Sequence, residues 1–444
     1  MPLIDSLATT APLAELFSDR SILEAMLAFE VALARVQARA GIIPEEAANA
    51  IAAATATDFD AESLSHDALR AGTPSIPFVK ALTEKVRAKN SSAAGYVHWG
   101  ATSQDVADSA LMLVLKRAQT ILEADLIRAE EALSRLSDQH AHTVILGRTL
   151  LQPGPPITFG LKAAGWLGAI QRNRARLIDS FKEALILQFG GASGTLAALG
   201  DRGLEIAQSL ARELGLTCPD APWHTHRDRL AALMCACGVQ TGVLGKIARD
   251  ISLLMQGEIA EVAEPSAPGR GGSSTMPHKR NPIGCSLTLA AVQRVPGMVS
   301  SFLSIMVQEH ERAVGGWQAE WPLVSGIIQT TGLAAASMAE TLEGLTVDPV
   351  RMRANIDATQ GVIFAERAMM LLAPQLGRDV AHRLLEEAVR KCTEQKRRLR
   401  EVLGDMPEVT RLLDSETLDK LEAPEEYLGV ADALRARLLS EHKP

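Results

Sequence analysis

The chain predicts an all-α fold with a central bundle of long helices, and three observations carry that expectation. Its 444 residues are rich in Ala, Leu, Glu and Arg, with 4% aromatic residues and only two tyrosines. The former favour helix, whereas strands favour β-branched and aromatic side chains. Residues 104–139 run without Pro or Gly. Along them Leu111, Val114, Leu115, Ala118, Leu122, Ala129, Leu133 and Leu136 recur at helical spacing, which gives a rod of about 54 Å at 1.5 Å per residue.

Residues 1–103 read as short helices with Pro and Gly interruptions. Residues 21–40 form a helix stopped by Gly41 and Pro44. Residues 71–77 (AGTPSIP) are expected to be a loop, because Pro74 and Pro77 both break helix. The second region, 104–356, carries further long helices over 227–264 and 282–312, the latter kinked at Pro296. Residues 321–339 carry no charge, but Pro322, Gln329, Thr330, Thr331 and several small residues suit a buried bundle helix better than a bilayer span. The third region, 357–444, reads as shorter amphipathic helices over 364–372 and 380–403, with 390–400 a solvated charged face. Helices this long imply a bundle larger than one compact monomer buries, so oligomerisation is expected.

The net charge of −8 argues against nucleic acid as a partner, since phosphate binding needs a basic face. It leaves room for a small anionic substrate in a local basic pocket. Five cysteines with no CxxC pair read as free thiols in a reducing cytosol. The N-terminus lacks a secretory pattern, so a cytoplasmic protein without a membrane partner is expected. The spacing of His224 and His226 does not suit one helix face and nothing nearby completes a zinc site, so no metal is expected.

Three segments carry chemistry. Residues 269–282 read GRGGSSTMPHKRNP: a glycine-rich, mobile backbone, two serine hydroxyls, then Lys279 and Asn281. Asn281–Pro282 also reads as the N-cap and first residue of the next helix. This stretch closely resembles the signature loop of the fumarase/aspartase superfamily, GSSxMPxKxNP, with every fixed position matched from Gly272 to Pro282. The resemblance implies that Ser273 is the catalytic acid or base, and that Lys279 and Asn281 bind a substrate carboxylate or order the closed loop. A serine anion needs stabilising, which backbone N–H groups and a nearby ammonium supply.

Residues 98–106 (HWGATSQDV) resemble the superfamily's HxGxTSxD region, which places His98, Thr102 and Ser103 at the substrate. Thr102 and Ser103 stand just before the long helix, where hydroxyls and helix amides suit a carboxylate; plain N-capping is the alternative. Residues 147–152 (GRTLLQ) resemble the GRTH region, which adds Thr149 and Gln152 to the substrate contacts. Arg270 is the further candidate among the cations, with Arg148, Arg227, Arg280, His224 and His226 beside it.

The departure is Leu150, which stands where the family's GRTH region has a histidine that handles the leaving group. Losing a general acid costs about 10²–10⁴-fold when the leaving group needs a proton, whereas a carboxylate needs none. The expected reaction is therefore lactonisation: one carboxylate of a small tricarboxylate adds across the substrate's own double bond, with no cofactor. A fumarate-releasing lyase acting on adenylosuccinate or argininosuccinate is the alternative. The resemblance also implies three helical domains, here 1–103, 104–356 and 357–444, and a homotetramer whose active sites are shared between subunits.

Overall fold

The computed structural model describes residues 3–266, 271–272, 276 and 279–440. Five long helices dominate it: Ser103–Gln139, Phe159–Ala184, Asp228–Leu254, Ile283–Ser304 and Gly316–Glu343. Strands among the described residues form only two antiparallel pairs, so the all-α expectation holds.

The chain divides into two compact units: Met1–Ile127 with Arg172–Gly245 and Leu287–Ser337, and Arg128–Gln171 with Lys246–Ser286 and Met338–Pro444. Each of the five long helices contributes a stretch to both. In the first unit, helices approach closely where side chains are small. A Cβ on Gly332 would fall 2.1 Å from the Leu13 side chain, and one on Gly245 would fall 2.1 Å from Val292. Thr241 and Thr331 bond to each other at 3.1 Å between buried faces, satisfying hydroxyls that burial alone would penalise. In the second unit the C-terminal helices enclose Phe364, Leu372, Leu385, Leu399, Val402 and Leu421, and Val144 and Leu146 join the same core. Fully burying such side chains contributes about 1.5–3 kcal/mol each.

Several boundaries differ from the sequence reading. Residues 71–77 are not one loop. The Ala61–Ala71 helix ends at left-handed Gly72, and Ser75–Lys89 begins two residues beyond Thr73. Pro77 lies in that helix's first turn, where a missing N–H costs nothing. The helix expected over 227–264 stops at Leu254, because Ala260 turns left-handed and Val262–Ala263 pairs with Thr346–Val347. The 282–312 helix stops at Ser304 with Pro296 inside it, and a connection containing left-handed His310 and Gly315 follows. The 380–403 segment is two helices, parted at left-handed Lys396.

Residues 321–339 lie within Gly316–Glu343, with Val324, Ile327, Ile328, Ala334 and Met338 buried, as a bundle helix requires. Asp228–Leu254 is the one described helix long and apolar enough in composition to cross a membrane, and 56% of its apolar stretch is buried. Soluble core helices meet the same description.

Candidate active site

The N-terminus of the Ser103–Gln139 helix is built on one carboxylate. Asp105 is fully buried. Its Oδ2 accepts from the Thr102 and Gly191 amides at 3.0 and 2.9 Å, and its Oδ1 from the Gly190 amide at 3.0 Å and His224 Nε2 at 2.8 Å. Charge-assisted bonds of this kind are the stronger class. Both glycines are dictated by the approach. A Cβ on Gly190 would sit 2.7 Å from Pro222 and 2.8 Å from His224, and Gly191 has φ +69°.

Asp105 thus reaches back to the Thr102 amide, and the hydroxyls are free for another donor. Arg312 takes them: its Nη1 donates to Thr102 Oγ1 and its Nη2 to Ser103 Oγ at 3.0 Å. The half-buried guanidinium has no carboxylate within bonding distance among the described residues. One cation, two hydroxyls and the first turn of a 37-residue helix therefore share one place. A positive helix end and an Arg fork are complementary to a carboxylate. The pairing of Arg312 with Thr102 spans 210 positions, so no local spacing announces it.

His98 stands at the entrance to the same turn. Its φ is +60°, a left-handed value that costs a non-glycine residue about 1–2 kcal/mol. Its Nδ1 bonds Glu30 Oε1 at 2.6 Å. Burial works against the charged ring, but Glu30, and further off Asp105, outweigh it and hold His98 above the ordinary histidine range.

Three other cations from the sequence reading are already committed. Arg227 is buried and bonded by Asp108 (2.8 and 3.2 Å) and Glu320 (2.9, 3.0 and 2.5 Å). Its guanidinium lies 4.4 Å over the Trp223 ring, and Trp317 Nε1 donates to Asp108 at 3.0 Å. Burial disfavours the charge, but the two carboxylates hold the guanidinium firmly protonated. His224 is spent on Asp105. In the second unit Arg148 makes a two-point pair with Glu261 at 2.9 and 2.8 Å. These are structural assignments, and they remove the three residues as free substrate cations.

The second unit also holds Thr149 and Gln152, exposed partners that close a hairpin of Val144–Thr149 and Gln152–Thr158. Leu150 and Leu151 form its two-residue turn with φ +50° and +66°. Asn-Gly is the pair such a turn prefers, yet here two leucines occupy it at 98% and 74% exposure. Gly147 is forced, since a Cβ there would meet the Pro155 carbonyl at 2.3 Å.

In the signature segment the Asn281 amide donates to the Gly271 carbonyl at 2.9 Å and the Lys279 amide to Met276 at 3.0 Å. The Ile283–Ser304 helix is capped by Glu264, whose carboxylate accepts the Gly284 and Cys285 amides at 2.9 and 2.8 Å. That fills the cap expected of Asn281 with a residue from upstream. Lys279 and Arg280 are exposed and line an open cleft of about 730 Å³ with Val262, Thr346 and Asp348. Ser273 and Arg270 lie outside the described residues. An apolar cavity of about 400 Å³ beside Phe17, Met26, Leu64 and Trp321 has Asp19 as its charged lining residue, which does not suit a polyanion.

A helical protein with a cation and two hydroxyls at the start of its longest described helix, and a Ser-Lys-Asn signature in its sequence, points to a class: lyases that work beside a substrate carboxylate. The comparisons with known proteins specify it. The family model described as "Lyase" matches residues 7–297, and one described as "Adenylosuccinate lyase C-terminus" matches residues 361–438. The chain belongs to this lyase family, the fumarase/aspartase superfamily. It is 48% identical to 3-carboxy-cis,cis-muconate cycloisomerase of Pseudomonas aeruginosa, over 99% of this chain and 96% of that one. It is 41% identical to nitrosuccinate lyase of Streptomyces davaonensis, over 97% and 93%. The crystal structure of the 3-carboxy-cis,cis-muconate lactonizing enzyme from Pseudomonas putida superposes with a TM-score of 0.94 at 46% identity, covering 99% of this chain and 98% of that one.

Proposed function

We propose that the chain is an intramolecular lyase that lactonises 3-carboxy-cis,cis-muconate, in the breakdown of protocatechuate. The observation that carries this reading is the 48% identity, over 99% of the chain, to an enzyme of that name. Leu150 supports it on chemical grounds, since a carboxylate nucleophile or leaving group asks for no histidine.

One substrate carboxylate attacks the alkene carbon β to a second carboxylate, and a C–O bond forms. Charge gathers on the second carboxylate as an enediolate, which Thr102, Ser103, Lys279 and Asn281 stabilise. Arg312 fixes the first two hydroxyls and adds its charge. Ser273 delivers a proton to the α-carbon and recovers one from solvent, so a trianion becomes a dianion and one proton is taken up. The attack is intramolecular, so holding one conformer supplies much of the rate. His98, Thr149, Gln152 and Arg270 complete the substrate contacts.

A cytoplasmic homotetramer with sites shared between subunits belongs to the same reading, as does the division at 103/104 and 356/357. The association alone has structural support, in the exposure of Leu150 and Leu151 on a strained turn, a costly arrangement for a tip facing water.

A second reading, elimination from a substituted succinate, is favoured by the 41% identity to nitrosuccinate lyase. The test is to offer purified protein 3-carboxy-cis,cis-muconate, nitrosuccinate, adenylosuccinate and argininosuccinate in parallel. Lactone from the first alone is the expected result. Fumarate from any of the others, without lactone, would replace the reading.

A further inference from the structure

The Asp19–Arg39 helix carries two polar residues where its core stripe calls for apolar ones. Leu23, Met26, Glu30, Leu33 and Gln37 follow one another at spacings of three and four, the stripe of a single helical face, and all five are buried. Both polar members face the turn that leads into Thr102. Gln37 Nε2 donates to the Trp99 carbonyl at 2.7 Å, and Glu30 Oε1 bonds His98 Nδ1 at 2.6 Å. His98 is left-handed at φ +60° and Gly100 at +77°, so two rungs of one helix grip a strained turn from one side.

The bond to Glu30 decides what His98 presents. With Nδ1–H donated to a carboxylate, the opposite nitrogen Nε2 is the one left for a ligand, and no described residue bonds it. Glu30 is 2% exposed, and His98 is its bonding partner among the described residues. A buried carboxylate so placed favours the imidazolium, whose Nε2–H is a charged donor.

We propose that Glu30 is a positioning residue. It fixes His98 as an Nε2–H cation that grips a substrate carboxylate beside Thr102, Ser103 and Arg312. This inference rests on the proposed lactonisation for its substrate, but the ion pair itself does not depend on that reaction. The charged groups that act on His98 are Glu30 and, further off, Asp105, whose own partner is His224. Burial opposes the charge on His98, and the two carboxylates sustain it. Because the folded pKa is raised, the cation is complete below the ordinary histidine range and is lost as pH climbs through the raised value. Affinity for a polyanion follows the same course.

The test compares the wild-type enzyme with Glu30→Gln and Glu30→Asp. Gln keeps an acceptor for Nδ1–H but removes the charge; Asp keeps the charge at a greater reach and serves if Gln prevents folding. Three readings are taken: His98 ring titration by NMR, binding of tricarballylate against pH, and kcat and KM across pH. In Glu30→Gln the ring titration and the alkaline limb of kcat/KM are expected to fall together by about one pH unit. KM rises about tenfold while kcat changes less, and Asp lies between. A limb and KM that stay at wild-type values in a folded Glu30→Gln enzyme overturn the proposal and leave the reaction standing. An enzyme that never turns over the muconate fails the reaction instead, and the ring titration and tricarballylate binding then decide on Glu30 alone.

Discussion

Arg312 does at the residue scale what the composition does not reveal: it brings a positive charge to a chain whose net charge is −8. The neighbouring basic side chains are already paired. Arg227 has two carboxylates and His224 has one, while Arg312 has two hydroxyls. Arg312→Met is expected to raise KM about 10- to 100-fold, the weight of a charged hydrogen bond, with melting temperature little changed. Unchanged steady-state constants would remove it from the site. The opposite pattern is expected of Arg227→Met, which strands Asp108 and Glu320 in the interior. Leaving a buried charge uncompensated costs about 3–5 kcal/mol, readable as a lowered denaturation midpoint. A loss below 1 kcal/mol would mean the triad is not the anchor its geometry describes.

Among the elements, the hairpin between the first two long helices was the least legible and is the most informative. Residues 144–158 contain Gly147, Gly154 and Pro153, Pro155 and Pro156, a composition that argues against a strand. The pairing survives because the register shifts between Leu146 and Gly147 and the strands have no third neighbour among the described residues. Leu150 sits at its turn, and Leu150→His is expected to leave cycloisomerase activity no higher than wild type. A large gain would show that a missing proton donor had been limiting. Helix interiors, by contrast, were plain in the sequence. The expected helix over 104–139 is observed at Ser103–Gln139, because nothing in it competes with the i to i+4 ladder. Helix ends depart from the sequence pattern where a tertiary partner sets them: Glu264 caps the helix whose pattern begins on Asn281. Of the site, Thr102, Ser103, His98 and Asp105 all stand in a family motif, although the ties of Asp105 to Gly190, Gly191 and His224 do not show there. Arg312 and Glu30 have no such signal, since each acts across a gap in sequence that only folding closes.

For the whole molecule, each unit has its own interior, and the long helices expose apolar surface such as Val239 and Leu303. Light scattering on the purified protein is expected to give the mass of four chains; a monomer at micromolar concentration would contradict the proposed sharing of sites. The central claim is the reaction. Its most direct measurement follows diene absorbance and proton uptake together, in weak buffer, after 3-carboxy-cis,cis-muconate is added without metal. Loss of the diene with uptake of one proton per molecule, and a lactone as the product, is the expected result. A diene that persists while one of the succinate substrates releases fumarate would contradict it.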